Sequence, residues 1–544
     1  MRIRNFILTF VAMLFVGLLP ASAAKKSVVG KVMCDGKGVA GVVVTDGVNM
    51  TKTNAKGAYA LPTDVKHPHC QFVYISIPSG YEVERIGNAP QFYKRVDPEA
   101  KKQTFDFNLK KVDQHHYKVF AIADTHVTGG HFKYNHKEDV ERYRSTLAVA
   151  MNESVAKSDV PVYIVNLGDM GHPPTRPGYK GRKDGYSLKN FMEDTPVDAP
   201  IFNCIGNHDH NRPAVKGTYF TEETVYQSRA DFNRDLGPEY YSFTIGRDHY
   251  VVVDNLFILT SDSRSTRDLK ATTGCWYRLC ERQHHWLEQD IAALDKTKID
   301  RIVYVAHAGL FNYAGKPQQL DYDRVLNYFK GYEVVALIGH HHADHSQKKS
   351  WNDMPLYQFM HPSGAGTAWF CYDNCEGTPS AIACYEVKNG DIKRTYIPYG
   401  DSSVGDYRIY DNGEHKWHYP ITSRTGTKNK LELEVPQEGD KPAILVNVWG
   451  AYTCQFTEST GGKGKVRKKL YDLKYRDWYW QTLARSESGE LSTGERLYGN
   501  AKWQYPKSGY HIWQYVPADA EAEISVVAKD AFGNVIAEFK ARAK

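Results

Sequence analysis

Tyr117-Lys118-Val119-Phe120-Ala121-Ile122-Ala123-Asp124-Thr125-His126 is an apolar, β-like run that ends on two side chains able to bind a metal. The pattern recurs four times downstream. Val160–Leu167 runs into Gly168-Asp169, and Ile201–Ile205 into Gly206-Asn207-His208-Asp209. Ile302–Ala306 leads to His307, and Val334–Ile338 to Gly339-His340-His341-His342. Residues just past the carboxyl ends of strands are where open α/β sheets build their sites. Every metal-capable side chain in these clusters is Asp, Asn or His. That oxygen and nitrogen set suits Mn, Fe or Zn rather than a sulfur-bound structural site. Spacing and strand context together point to a two-metal hydrolase.

Outward from these runs, residues 114–400 alternate strands and helices. Glu138–Ala156 and Glu281–Ala293 have apolar residues near the helical period, and Tyr240–Ile245 with Tyr250–Asp254 read as paired strands. The pattern turns to β again at Leu356–Met360 and Ala381–Val387. The expectation is a mixed β-sandwich flanked by helices, not a doubly wound sheet. Residues 25–111 read as a small all-β module, with short runs at Val28–Val32, Val42–Thr45, Phe72–Ile77 and Phe105–Leu109 punctuated by Gly, Asn and Asp. His67, His69 and Cys70 there read as a surface turn rather than a metal site. Residues 401–544 are β-rich and aromatic. Strands are expected at Ile444–Trp449, Trp478–Thr482, His511–Tyr515 and Ala522–Val527. Asp401–Leu431 reads as a linker or surface strands, and the basic run Lys463–Lys469 as a solvated hairpin loop. Trp478, Tyr479, Trp480, Trp503, Tyr505, Tyr510, Trp513 and Tyr515 are expected mostly to pack a core, with a stacking surface for sugar or base rings as the alternative. The fold class is therefore multidomain, an α/β core between two all-β domains.

The chain has 544 residues, 42% of them hydrophobic, 13% aromatic and 24% charged, enough apolar material for several cores. Residues 1–23 read as a signal peptide: Arg2 and Arg4, a short apolar stretch from Phe6 to Leu19, then Ala21-Ser22-Ala23 as a cleavage site. The expected location is outside the cytoplasm, periplasmic or secreted. No later stretch is long and apolar enough to span a bilayer. The net charge of +6 falls to +4 once Arg2 and Arg4 are removed, which is weak for duplex nucleic acid and compatible with small anionic substrates. An exported protein is allowed disulfides. The nine cysteines leave at least one unpaired, and Cys34 with Cys70, Cys275 with Cys280, and Cys371 with Cys375 are the candidate pairs. Cys204 reads as a buried thiol.

The order D-x-H, G-D, G-N-H-[DE], isolated H, G-H-x-H resembles the calcineurin-like metallophosphoesterase superfamily, and all five parts stand here without substitution from Asp124 to His342. The whole chain resembles a three-part bacterial subgroup with a β-sandwich before the catalytic domain and a β-rich domain after it. Val42-Val43-Val44-Thr45-Asp46-Gly47 and Gly57-Ala58-Tyr59 are similar to a carboxypeptidase-regulatory-like sandwich, and Glu376-Gly377-Thr378-Pro379-Ser380 looks like the start of the third part. The resemblance implies that Asp124, His126 and His342 hold one metal, that Asn207, His307 and His340 hold a second, and that Asp169 bridges them. It implies His208 as the group that protonates the leaving alkoxide or holds a phosphoryl oxygen, with Asp209 orienting it. Two cations about 3.5–4 Å apart need a shared carboxylate and can clamp the attacking and leaving oxygens of a phosphoryl group. His341 is expected to point away from the metals, since alternate side chains of an extended segment face opposite sides. His115, His116, His131, His136, His172 and His210 read as surface or supporting residues, and His284 and His285 as structural. After the bridging position the sequence runs Met170-Gly171-His172-Pro173-Pro174, without the G-D-x-x-D-R-G signature of protein Ser/Thr phosphatases.

The leading expectation is an exported metal-dependent phosphoesterase. Its substrate would be a phosphate mono- or diester, either a small molecule or one linked to glycan or lipid, with a nucleotide also admitted. Two readings compete: a non-enzymatic envelope protein that binds glycan or matrix, and a dinuclear metal hydrolase acting on a non-phosphate substrate. The intact ligand set argues against the first.

Overall fold

The computed structural model describes residues 28–100, 102–129, 138–171, 186–211, 222–258, 275–366, 368–369, 372, 374, 377–400, 405–411, 416–422, 428–434, 443–468 and 510–543. The signal-peptide segment, His131, His136, His172, Cys371, Cys375 and the Trp478–Thr482 strand lie outside them, as do Trp503 and Tyr505.

The centre is two mixed sheets laid face to face. One runs Ile201–Asn203, Val162–Asn166, His116–Ile122, Ala381–Lys388, Asp391–Pro398 across the sheet, the first three parallel and the last two antiparallel. The other runs Tyr241–Ile245, Asp248–Val252, Arg301–Ala306, Glu333–Ile338, Met354–Met360, His345–Trp351, with a parallel block from Asp248–Val252 to Met354–Met360. The two-residue period of a strand decides which side chains meet. Tyr117, Val119 and Ala121 face Tyr250, Val252, Val303, Val305, Val335 and Leu337 between the sheets. Their alternates Phe120 and Ile122 pack outward under Tyr143, Leu147, Met151 and Phe191. Ile302, Tyr304 and Val334 pack outward under Trp286, Leu287, Val325 and Phe329. The strands are buried on both faces, which is why they read as unbroken apolar runs.

Register then aligns the motifs. Ile122 pairs with Asn166 and Asn166 with Asn203, while Ala306 pairs with Ile338. The residues that follow these strand ends emerge together at one rim of the sandwich.

Among the described residues, the N-terminal segment forms two main sheets and a two-stranded pair, Arg85–Ile86 with Ala89–Pro90. Val28–Cys34 pairs with Ala58–Leu61 and Phe107–Lys111, while Val43–Thr45 sits between Met50–Lys52 and Phe72–Ile75. The C-terminal segment forms a sheet of Arg408–Asp411, Ile444–Asn447, Ile512–Val516 and Lys465–Lys468, and a second of Thr453–Glu458, Glu523–Lys529 and Val535–Arg542. Trp513 and Tyr515 are buried in the core between them, as packing residues. No helix among the described residues is long and apolar enough to cross a membrane.

Several expectations change. The single helix Glu138–Ala156 is two, Asp139–Ser145 and Leu147–Ala156, broken at Thr146, whose hydroxyl donates to the Arg142 carbonyl at 2.6 Å. The basic run Lys463–Lys469 is not a loop: Lys465–Lys468 is a strand paired with Ile512–Val516. Of linker and strands, the two readings of Asp401–Leu431, strands form, at Arg408–Asp411, Lys416–Thr422 and Lys428–Glu434, the last running past Leu431. Cys34 and Cys70 are both free and buried, and Cys280 is also free, so neither Cys34–Cys70 nor Cys275–Cys280 forms. Cys34 ends a strand of one N-terminal sheet, whereas Cys70 precedes a strand of the other. Cys280 is the N-cap of the helix Glu281–Ala292 and receives the Gln283 amide instead. Cys204 is a free buried thiol, as its strand predicts.

Candidate metal centre

At the rim, the chain leaves each strand through a tight turn. Asp124 (φ 52°), His126 (45°), Asp169 (55°), His340 (68°) and His342 (51°) all adopt left-handed backbone, where non-glycine residues are strained by on the order of 1 kcal/mol each. Five such residues at one rim mean that the surrounding hydrogen bonds impose their conformation. Asp124 N donates to the Gly168 carbonyl (3.0 Å) and His126 N to the Asp169 carbonyl (2.9 Å). His208 N donates to Asp169 Oδ1 (2.6 Å), and His340 N to Asp124 Oδ2 (2.9 Å). Each turn is thus tied to the next.

The side chains converge in two groups that could each hold an ion, Asp124 with His126 and His342, and Asp169 with His307 and His340. In the first, His342 Nε2 is 3.2 Å from Asp124 Oδ1, and His126 Nε2 is 3.0 Å from His342 Nε2. In the second, His307 Nε2 lies 3.2 Å from Asp169 Oδ2 and 3.1 Å from Asn207 Oδ1, while His340 Nδ1 is 2.8 Å from Asn207 Oδ1. Donor atoms that share an ion at about 2.0–2.2 Å stand roughly 3–3.6 Å apart, so these separations fit. Asp169 Oδ2 also comes within 3.8 Å of His126 Nε2, which puts one carboxylate between the groups. A third grouping, His126, Asp169 and His208, overlaps both.

The electrostatics suit cations. Burial drives His126 down to about 4 and His340 down to about 3, so both imidazoles are neutral at pH 7 and present lone pairs. Burial opposes ionisation of Asp169, but His307 and His208 outweigh it and hold the carboxyl well below the ordinary range. His307 is the mirror case: burial pushes it down, and Asp169 and Asp124 carry it up to about 10. An ion held by His307 would have to displace that proton.

Other atoms of the ligand set are fixed from behind. His307 Nδ1 bonds the Leu167 carbonyl (2.7 Å), and His340 Nε2 meets the Tyr277 hydroxyl (3.0 Å), leaving the opposite nitrogens for an ion. Tyr277 has no motif, and its partner is far along the chain, so nothing in the sequence singles it out. His208 sits over the open side, its ring edge-on to His126 at 4.9 Å, its Nε2 3.9 Å from Asp169 Oδ2, and its side chain 23% exposed. His341 stands outside both ion-holding groups, 3.3 Å from Gln318 Oε1, as alternation predicts.

Asp209 ties backbone turns together. It accepts backbone N–H bonds from Asp169 (2.8 Å), Gly206 (2.8 Å) and Gly171 (3.2 Å), and so clamps the second and third turns together. His210 is fully buried behind the same turn, with one nitrogen 2.8 Å from the Gly206 carbonyl and the other 3.0 Å from Asp254, which Arg229 also grips at 2.5 Å. His284 packs in its helix against Asp321 at 2.8 Å, a structural role as expected.

Residues 117–344 match the family described as "Calcineurin-like phosphoesterase", residues 26–112 the "N terminal of Calcineurin-like phosphoesterase", and residues 371–536 its "C terminal". The chain is 26% identical over 152 residues to "Serine/threonine-protein phosphatase CPPED1" of Rattus norvegicus, and 27% identical over 152 residues to that of Bos taurus. Each match covers 28% of this chain and 41% of the relative, so the chain spans less than half the length of these curated relatives. Among solved structures, the 5'-nucleotidase from Candida albicans is 13% identical, covering 53% of this chain and 52% of that one at a TM-score of 0.30. "GAP50 the anchor in the inner membrane complex of Plasmodium" is 15% identical, covering 52% and 84% at a TM-score of 0.29.

Proposed function

Since the chain belongs to the calcineurin-like phosphoesterase family along all three of its parts, we propose that it is an exported metal-dependent phosphoesterase that cleaves a phosphate mono- or diester. The observation that carries the reading is Asp169: one buried carboxylate stands between two sets of Asp, Asn and His side chains at ion-sharing distances. Asp124, His126 and His342 would hold one divalent cation, and Asn207, His307 and His340 the other, with Mn, Fe and Zn the metals that suit the donors. When bound, the pair supplies Lewis acidity to a phosphoryl oxygen and acidifies water.

The remaining chemistry belongs to side chains. His208, partly exposed above Asp169, is placed to hold a proton at Nε2 and pass it to a leaving alkoxide. Its backbone N–H is committed to Asp169 Oδ1, so the acid and the shared carboxylate move as one unit. Asp209 keeps that unit in register with Gly171 and Gly206.

The test is hydrolysis of bis-p-nitrophenyl phosphate and p-nitrophenyl phosphate with Mn, Fe or Zn added in turn, beside Asp169→Asn. Cleavage of either ester, lost in the variant, supports the reading. Two bound ions without cleavage would move the substrate class away from simple esters. Because the curated relatives carry the name of a protein phosphatase, a phosphoserine peptide belongs in the same panel. Export rests on the Arg2-to-Ala23 pattern, and N-terminal sequencing of the protein from a culture medium or periplasmic extract checks it.

A further inference from the structure

The C-terminal segment is built into the central fold rather than appended to it. Its family match begins at residue 371, before the strands Ala381–Lys388 and Asp391–Pro398 that complete the five-stranded sheet. From the C-terminal sheets, two buried hydrogen-bond chains run back to the rim.

The first reaches the last motif. Gly450 N donates to Asp344 Oδ2 at 2.6 Å, and Asp344 Oδ1 accepts from Arg394 Nη2 (2.9 Å) and the Tyr396 hydroxyl (3.0 Å). Arg394 N in turn donates to Asp530 Oδ2 at 2.9 Å, so both C-terminal sheets are engaged. Asp344 is 1% exposed and stands two residues after His342. The second chain reaches the first motif. Asn447 donates its amide to the Gly377 carbonyl (3.0 Å), which leaves Oδ1 to accept from His511 Nδ1 (2.6 Å). His511 Nε2 then accepts from the Thr378 hydroxyl at 2.9 Å. The Thr378 carbonyl receives Asn374 N (2.8 Å), Asn374 Oδ1 receives Ser363 N (2.9 Å), and Ser363 Oγ donates to the Asp124 carbonyl (2.7 Å). All of these residues except the half-buried Gly377 are buried, so a bond lost among them leaves an unsatisfied group.

Both chains end on the same ion-holding group, at Asp124 and at the turn of His342. The other group is braced within the central domain. His307 rests on the Leu167 carbonyl, His340 on Tyr277, and the Asn207 turn on Asp209 and His210.

We propose that the C-terminal β domain braces one of the two metal positions: Asp344 and the His511–Thr378–Asn374–Ser363 chain are positioning residues that set the affinity of the Asp124–His126–His342 position and leave the Asn207–His307–His340 position to the central domain. The inference rests on the two-metal reading above. Supporting partners of metal ligands typically change affinity by about 10–100-fold when removed.

The experiment titrates the full-length, metal-stripped protein with Mn²⁺ by calorimetry and by electron paramagnetic resonance of the bound ion, with unfolding recorded in parallel. Asp344→Asn and Thr378→Val each weaken one of two sites by about 10–100-fold and leave the other within threefold. Tyr277→Phe weakens the opposite site, and Asp344→Asn combined with Tyr277→Phe weakens both. Equal weakening of both sites by Asp344→Asn and Thr378→Val overturns the proposal. So does a loss of thermal stability with both affinities unchanged, or a double variant that keeps one tight site. A wild-type protein that binds fewer than two Mn²⁺ brings down the two-metal reading itself, and that outcome is visible before any variant is made.

Discussion

Gly206→Ala adds one methyl group at the point where two motif turns touch. A Cβ there would lie 2.1 Å from Asp169 N, 2.2 Å from Asp169 Oδ1 and 2.9 Å from Asp169 Cα. Carbon and oxygen need more than 3 Å, so Asp169 must retreat by about 1 Å. It cannot do so alone. Its N donates to Asp209, its carbonyl receives His126 N, and its Oδ1 receives His208 N. Overpacking costs about 1–3 kcal/mol, and loosening these three bonds adds about 1 kcal/mol each, for a total of roughly 4–6 kcal/mol. At about 2–4 °C per kcal/mol the transition reporting the central domain falls by about 8–24 °C. The displacement also moves the carboxylate shared by both ion groups, and a 1 Å misplacement costs on the order of 100-fold in rate. The assays are thermal unfolding without metal and Mn²⁺-supported hydrolysis of bis-p-nitrophenyl phosphate. Gly405→Ala is the control, since a Cβ there meets nothing within 4 Å. A Gly206→Ala protein that melts within about 1 °C of wild type and cleaves within about threefold of its rate would refute the reasoning.

Asp209→Ala strands three buried N–H groups and is expected to lose about 3–6 kcal/mol. Asp209→Asn can still accept two of them through one oxygen and loses less. Equal melting temperatures for the two variants would contradict the clamp. Burial by itself would raise the Asp254 carboxyl, but Arg229 and His210 outweigh it and bring it down to about 2. A depressed carboxyl stabilises the fold above its unfolded value near 4, and the contribution, about 2 kcal/mol, is lost as pH falls from about 4 through 2. Urea titrations of wild type and Asp254→Asn at pH 7 and pH 2.5 test this. Wild type should lose more on acidification, and parallel losses would rule the pair out. Five buried free cysteines among the described residues, Cys34, Cys70, Cys204, Cys280 and Cys384, predict that at least five thiols react in denaturant without reductant. A count of four or fewer would restore a pairing among them.

Some of this protein was legible from residue order alone. The strand before Asp124 is fixed locally, because Tyr117–Ala123 is apolar at every position but Lys118, and a sheet buried on both faces is the place for that pattern. The same holds for Val162–Asn166, Arg301–Ala306 and Glu333–Ile338. The ligand types were visible for the same reason, since each sits in the turn that ends such a strand. Local pattern misled where two signals competed. The helical period runs on through Thr146, although its hydroxyl bonds the preceding turn and the chain bends there. The charges of Lys465–Lys468 hide a strand at the edge of its sheet. Cysteine spacing cannot say which sheet holds Cys34 and which adjoins Cys70.

What only the tertiary structure decided is which groups share a proton, a donor or an ion. Asp209 lies beside His208 in sequence but spends its oxygens on the backbone of two turns, because burial makes those N–H groups costly to leave unmet. Tyr277 supports His340 from 63 positions away, and His511 reaches the Asp124 turn through three intervening residues. Sequence settles what a residue can do, through its chemistry and its local period. Contact across long stretches of chain settles what it does, because register and domain docking, not neighbourhood along the chain, bring the partners together.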